Sequence, residues 1–414
     1  MSPAEEVYTL VDTALAQALA KLRVHRVAES VTPWLAFRRV LAEDVLAPRD
    51  VPEYPTAHWD GYAVISEEVA GAGDATPVSL KVMGAVGPGS RARAAIARGE
   101  AYQVATGAGL PSGADSVVPK ESVEVREGQV MVKEPSQPGS HVYAVGQDLK
   151  KGEAIMKAGQ VVRAQDVGEL ISTGHRKVKV WKKPKVSVLA TGSELVEEGR
   201  LKKGKVVNSH SPVFQRLCEA FGCAPVDLGI AKDDSAEISR KLRRGLAGSD
   251  LVLTLGGTSV GEKDCIAAAV RAMRPDVLVH RVKMDRGRVA GIAVVRGKPL
   301  VMMPGPIQGA MNTFLLFAVP MIDVLSGTEE RESEIICTFR GEWRARRRYS
   351  DFRKVVYVRL ERGTEMTASP LLAETESMKV LAEADGCVVV PENVTRIESG
   401  EKVAVRLIPG FSFA

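Results

Sequence analysis

Short apolar runs that end in glycine dominate the middle of the chain. Leu251 to Leu255 is one such run, and it reads as a strand buried on both faces. Gly256, Gly257, Thr258, Ser259 and Gly261 follow, and then the helical pattern IAAAVRAM. A strand, a glycine-rich turn and a helix expose backbone N–H groups at a helix N-terminus. Those groups carry partial positive charge and suit an anion such as phosphate. One such loop is also explained by a tight turn and an N-cap, so the recurrence of the pattern matters. Lys185 to Leu195 runs from an apolar strand into Thr191, Gly192, Ser193 and Glu194. Pro299 to Phe314 runs into Pro304-Gly305-Pro306 and then a helix. In an open α/β sheet, parallel strands end on one edge and ligands bind there. The three loops therefore predict one pocket with close backbone approach. None of them matches G-x-x-x-x-G-K-[ST] or G-x-G-x-x-G, which excludes an ordinary P-loop and a dinucleotide fingerprint.

Other patterns divide the rest of the chain. Val7, Leu10, Val11, Ala14, Leu15, Ala18, Leu19 and Leu22 recur at three- and four-residue spacing and predict an amphipathic helix. A second short helix, WLAFRRVLAEDV, is expected behind Thr32 and Pro33, and Pro48, Pro52 and Pro55 then break the pattern. Residues 50 to 145 alternate short strands with Gly and Pro turns, which predicts a small all-β module. Helical periodicity returns at AQDVGELIST. The module thus reads as an insert, residues 49–145, in a mixed α/β domain made from residues 1–48 and 146–182. Residues 183–328 alternate strands (VSVLA, APVDLGI, DLVLTL, VLVHRVKM, AGIAVV, PLVMM) with helices beginning near Ser211, Ser235, Asp264 and Ile307. That alternation predicts an α/β domain with a mostly parallel sheet. Residues 329–414 are β again and predict a small barrel or sandwich.

Composition narrows the function classes. A length of 414 residues implies two to four domains. The net charge of +5 favours small anions slightly and does not require nucleic acid. Five cysteines without a C-x-x-C give neither a disulfide framework nor a zinc site. The six histidines are scattered and read as surface or packing residues. The start, MSPAEEVYTL, lacks a signal-peptide core. Phe314 to Leu325 is too short to span a bilayer and holds Pro320 and Asp323, so it reads as a buried helix. A reduced, cytoplasmic protein without a membrane anchor is expected. Residues 340 to 359 carry eight Arg or Lys against two acids, either a solvated strand face or an anion-binding rim.

The collected motifs resemble the MoeA family of molybdopterin molybdenumtransferases, which includes the gephyrin E domain. The resemblance rests on Asp60-Gly61-Tyr62-Ala63, Thr106-Gly107-Ala108 with Gly113-Ala114-Asp115, and Gly146-Gln147-Asp148 with Lys151-Gly152-Glu153. It continues through Thr191-Gly192-Ser193-Glu194-Leu195, Gly256-Gly257-Thr258-Ser259-Val260-Gly261 with Asp264, and Pro304-Gly305. It covers nearly the whole chain. It implies a central MogA-like α/β domain, an inserted β module, a C-terminal β barrel and an elongated homodimer. In that dimer the α/β domain of one subunit faces the β insert of the other. It also implies that the protein inserts molybdate or tungstate into adenylylated molybdopterin with release of AMP, assisted by Mg2+. Molybdopterin adenylyltransferase is then the expected substrate donor. The family positions make Asp60, Asp148, Glu194 and Asp264 candidate catalytic residues, with Glu194 and Asp264 on the metal. Thr106, Thr191, Gly192, Ser193, Asn208, Gly256, Gly257, Ser259, Gly261, Arg286, Arg288 and Gly305 are candidate substrate-binding residues.

The chain departs from the family at several anion-contacting positions. Where relatives commonly carry K-P-G-K-P, it reads Asp285-Arg286-Gly287-Arg288-Val289. Ser193 stands where Asp is usual, P-G-N-P becomes Pro304-Gly305-Pro306-Ile307, and Trp59 replaces the Met before D-G-Y. HVYAV precedes Gly146 where basic residues are expected, and Tyr349-Ser350 replaces a Gly-Arg pair. Two further readings follow: a diverged paralogue that binds a pterin, a nucleotide or a partner protein without turnover, and an adenylyltransferase acting on molybdopterin.

Overall fold

The fold is taken from a computed structural model, which describes residues 7–197, 199, 203–258, 264–328, 334–372 and 377–409. Ser259 and Gly261 of the candidate site lie outside the described residues.

The α/β domain supplies the frame. Its strands are β1 (Lys185–Thr191), β2 (Ala224–Ala231), β3 (Leu251–Leu255), β4 (Val277–His280), β5 (Gly291–Val295) and β6 (Lys298–Met303). They form one sheet in the order β2-β1-β3-β6-β5-β4. The first four run parallel, and β5 and β4 close the edge antiparallel. All residues of β3 are buried because helices cover both faces. Leu251, Leu253 and Leu255 share one core with α1 (His210–Ala220) and the helix that starts with α4 (Ile307–Thr313). Val252 points the other way, into a core with α2 (Ser235–Gly248) and α3 (Cys265–Arg271). Each such side chain contributes roughly 1.5–3 kcal/mol by leaving water, so alternation along β3 ties both layers to the sheet. The helix from Ile307 to Ser326 is long and apolar enough to cross a membrane, yet 78% of its most apolar stretch is buried inside the protein. It is a core helix, as its sequence predicts.

The predicted strand VLVHRVKM stops early, at His280. Arg281 takes φ +72° and turns the chain out of the sheet, and Met284 then bridges to Arg353 of the C-terminal domain.

The N-terminal helix spans only Val11–Leu19, because Thr9 is held extended: Thr9 N donates to Arg281 O and accepts from Lys283 N through its own carbonyl. Its Val11, Ala14 and Ala18 enter the α/β core rather than the N-terminal domain. The second helix is a single turn, Pro33–Ala36. Arg38, at φ +59°, ends it, and its N–H pairs with Val162 O. Before it, Ala28–Val31 pairs with Val178–Trp181, and after it Val45–Leu46 pairs with Ala154–Met156. These pairings join the two flanks of the insert. The insert is a six-stranded sheet in which Gly61–Val64 lies between Ser116–Pro119 and Glu100–Val104. The C-terminal region closes into a five-stranded barrel built on Glu334–Phe339, Lys354–Arg362, Met366–Pro370, Gly386–Val390 and Lys402–Leu407.

Candidate active site at the glycine rim

The parallel strands β1, β3 and β6 end side by side, so their loops share one edge. Gly256 N donates to Met303 O at 3.1 Å, and Thr191 Oγ1 donates to Leu255 O at 3.2 Å. Gly305 faces Gly256 so closely that a methyl on Gly305 would stand 3.9 Å from the Gly256 Cα. At Gly257, φ is +67° and a methyl would come within 2.4 Å of Thr191 Oγ1. Only glycine fits there, because the Thr191 and Ile266 side chains close in on a left-handed backbone; one residue earlier, at Gly256, a methyl would meet the Thr191 carbonyl oxygen at 2.7 Å. At Gly192, φ is +152° and the Glu194 carboxylate folds back over the turn, where a methyl would meet it at 2.6 Å unless that side chain moved. The three turns predicted to share a pocket do share one rim. Next to Gly257, the Thr258 hydroxyl is buried and has no hydrogen-bond partner among the described residues.

Side chains around the rim fall into distinct roles. Asp264 caps α3: its Oδ1 accepts from Ala267 N at 2.8 Å. Its Oδ2 stands 3.0 Å from His280 Nε2, yet the two atoms are misaligned for a hydrogen bond and neither has another partner among the described residues. Asn208 Oδ1 accepts from Ser211 N at 3.2 Å at the start of α1. His210, half-buried beside it, bonds to the Gly305 backbone, and burial lowers its pKa below the usual histidine range. Arg286 donates to Gln308 Oε1 just beyond the Pro304-Gly305-Pro306 turn, and its carbonyl accepts from Asn312 Nδ2 at 3.0 Å. Arg288 stacks over the Tyr349 ring at 4.2 Å. The rim thus combines backbone donors, two guanidinium groups and carboxylates, a set suited to a phosphate-bearing ligand.

Three predicted residues sit elsewhere. Asp60 Oδ1 accepts from Thr106 N at 2.8 Å and from Thr106 Oγ1 at 3.0 Å, both in the insert. Those two donors hold the exposed Asp60 carboxyl below its usual pKa. Asp148 is exposed at the return from the insert, with its N–H on Val51 O. Among the described residues, no hydrogen bond or ion pair links this insert group to the rim within one chain.

Comparison with known proteins decides the family. Residues 9–174 match the MoeA N-terminal region (domain I and II), 187–324 a probable molybdopterin binding domain, and 340–408 the MoeA C-terminal region (domain IV). A molybdopterin molybdenumtransferase of Staphylococcus aureus (strain COL) is 32% identical over 305 residues, 73% of this chain and 72% of its own length. The chain belongs to the MoeA family. A putative molybdopterin biosynthesis protein of Methanocaldococcus jannaschii is 29% identical over 384 residues, 90% of each chain. The crystal structure of a MoeA protein of Pyrococcus horikosii superposes with a TM-score of 0.83 at 30% identity, covering 97% of this chain and 99% of that one.

The MoeA frame makes this chain's departures legible. Asp285, where the resemblance leads one to expect Lys, forms an ion pair with Arg346 of the C-terminal domain. Its N–H also reaches Arg353 O at 2.7 Å. The charge reversal is therefore neutralised across the domain junction. Arg346 and Arg348 also approach the Tyr349 ring that carries Arg288. Arg346→Ala should leave Asp285 uncompensated beside Arg286 and Arg288 and weaken binding of a phosphate-bearing ligand about tenfold. Equilibrium titration checks this, and adding Asp285→Ala should restore most of the loss.

Ser193, where the resemblance leads one to expect Asp, is bonded to a carboxylate: Ser193 N donates to Asp233 Oδ2 at 2.9 Å, and Asp233 N donates to Ser193 Oγ at 3.1 Å. Sequence reasoning gave no site role to Asp233, His210 or His280; it met Tyr349 only as a departure from a Gly-Arg pair and Arg346 only within the basic run at 340–359. For Asp233 a signal existed, since it follows β2, a fourth strand ending on the same edge.

The fit of Mg2+ can be judged from the donors. Asp264 Oδ2 is a buried carboxylate oxygen without a hydrogen bond among the described residues, the hard donor this ion prefers. The described residues contain no cluster of three metal-ligating side chains. Mg2+ needs none when substrate phosphates and water supply most of its ligands.

Proposed function

We propose that this protein is a molybdopterin molybdenumtransferase that inserts molybdate or tungstate into adenylylated molybdopterin and releases AMP. The observation that carries the reading is the convergence of Gly192, Gly256, Gly257 and Gly305 on one rim flanked by Arg286 and Arg288. Its backbone donors bind the phosphates, and the two arginines offset the charge of an anionic substrate next to an anionic metalate. Glu194 and Asp264 would hold Mg2+, which when bound draws charge from the pyrophosphate oxygens as a Lewis acid. The cap on Ala267 N keeps the Asp264 carboxylate in place, with His280 beside its second oxygen.

The insert group completes the site from a second copy of the chain. Asp60, Thr106 and Asp148 are not joined to the rim of their own chain, and a homodimer would bring one subunit's insert to its partner's rim. The exposed Trp34, Leu35 and Phe37 supply apolar surface for such a contact. A molybdopterin adenylyltransferase supplies the substrate, and the reaction runs in the cytoplasm.

Purified protein given adenylylated molybdopterin, molybdate or tungstate, and Mg2+ should release AMP. Ligand binding without AMP would mark a non-catalytic paralogue, and adenylylated product from ATP and molybdopterin would mark an adenylyltransferase. Arg288→Ala should weaken binding of adenylylated molybdopterin about tenfold at low salt and less at high salt, since screening already weakens the lost contact. Unchanged affinity at low salt would remove Arg288 from the site.

A further inference from the structure

The edge of the α/β sheet opposite the glycine rim holds a second concave site of about 470 Å3. Arg243 projects from α2, Arg274 follows α3, and Arg296 sits in the turn between β5 and β6; all three line this cavity. All three are exposed, and among the described residues their side chains make no hydrogen bond or ion pair. No acidic residue lines the cavity.

The usual reason for arginines near helix C-termini is to satisfy the last carbonyls and the negative dipole end. Here Lys298 already does that for α2, donating to Leu246 O at 2.7 Å and to Ser249 O at 2.9 Å. Asp276, two residues after Arg274, accepts from Gly297 N at 3.1 Å. The three guanidinium groups are therefore surplus to local structure. Two of them sit on backbones with positive φ, Arg274 at +51° and Arg296 at +53°, where Gly or Asn is cheaper. Between the arginines, Leu246, Met273 and Val295 form an apolar floor.

We propose that this cavity binds an organic phosphate of nucleotide size, with its phosphates on Arg243, Arg274 and Arg296 and its ring against Leu246, Met273 and Val295. Guanidinium forks match phosphate oxygens in pairs, and several uncompensated cations favour a multiply charged ligand. The volume falls in the range of small-molecule sites rather than protein interfaces. The site is separate from the glycine rim and does not depend on the reaction assigned to it.

The test is calorimetric titration of the full-length protein with ADP, in parallel with Arg274→Glu/Arg296→Glu, with Arg243→Glu, and with the rim variant Arg288→Glu. The parent and the rim variant should share a class of ADP site that the other two variants weaken at least about tenfold. Thermal unfolding should stay unchanged in the two cavity variants, because among the described residues these three side chains make no hydrogen bond or ion pair. An ADP isotherm unaltered in Arg274→Glu/Arg296→Glu would overturn the proposal. So would inorganic pyrophosphate binding there as tightly as ADP, since the apolar floor would then add nothing. Binding of poly-glutamate in place of ADP would redirect the site to an acidic protein and equally end the phosphate reading.

Discussion

Asp264→Ala should lose both turnover and stability, whereas Asp264→Asn should lose turnover alone. The two carboxylate oxygens have separate tasks. Oδ1 caps α3 through Ala267 N, and loss of such a cap costs about 1 kcal/mol. An asparagine oxygen can keep that bond. Oδ2 is buried, faces His280 and lacks a hydrogen bond among the described residues, and no amide can replace its charge toward a divalent ion. We expect AMP release to fall about a hundredfold in both variants, the scale set by losses around a bound metal. Unfolding should shift only in Asp264→Ala. Turnover equal to the parent in both variants would remove Asp264 from the chemistry and leave it as a helix cap.

Gly257→Ala is expected to abolish ligand binding at the rim and to destabilise the α/β domain by about 2–5 kcal/mol. The range adds the strain of a left-handed backbone to the cost of overpacking. The new methyl would meet Thr191 Oγ1 at 2.4 Å and Ile266 Cγ1 at 2.8 Å, so the turn cannot keep its place between β1 and α3. Gly128→Ala is the matched control, since its φ is +79° and nothing lies within 4 Å. It carries the backbone strain without the clash and should cost about 1–2 kcal/mol with binding intact. Similar losses in both variants would mean that the rim needs only backbone freedom, not the close approach of the two loops.

Much of this architecture is visible in the order of residues because its physics is local. Apolar runs of strand length, each closed by a small-residue turn, foretell the parallel strands and place their ends on one edge. The alternation of Leu251, Val252 and Leu253 between two cores follows from the pleat. What escaped sequence reading depends on contacts between distant segments. Thr9 forms a β-bridge with Val282, which shortens the first helix, and no periodicity in residues 7–22 signals that. Arg38 breaks the second helix by a backbone angle that its side chain does not announce. The site shows the same division. Glycines were found from their pattern, but the Asp285–Arg346 pair joins residues 61 positions apart in different domains. Read alone, Asp285 is a damaging charge reversal; read with Arg346, it is a neutralised link. Asp233 standing in beside Ser193 is the same lesson at 40 positions.

AMP release measured against molybdate concentration, with metal incorporation followed in the same samples, tests the central claim most directly. A single site holding both the adenylylated pterin and the metalate predicts AMP release that saturates with molybdate or tungstate, one AMP per metal incorporated, and no release from Gly257→Ala. Adenylylated pterin that stays intact at every metalate concentration, or AMP release that ignores both the metalate and the Gly257 substitution, would contradict it.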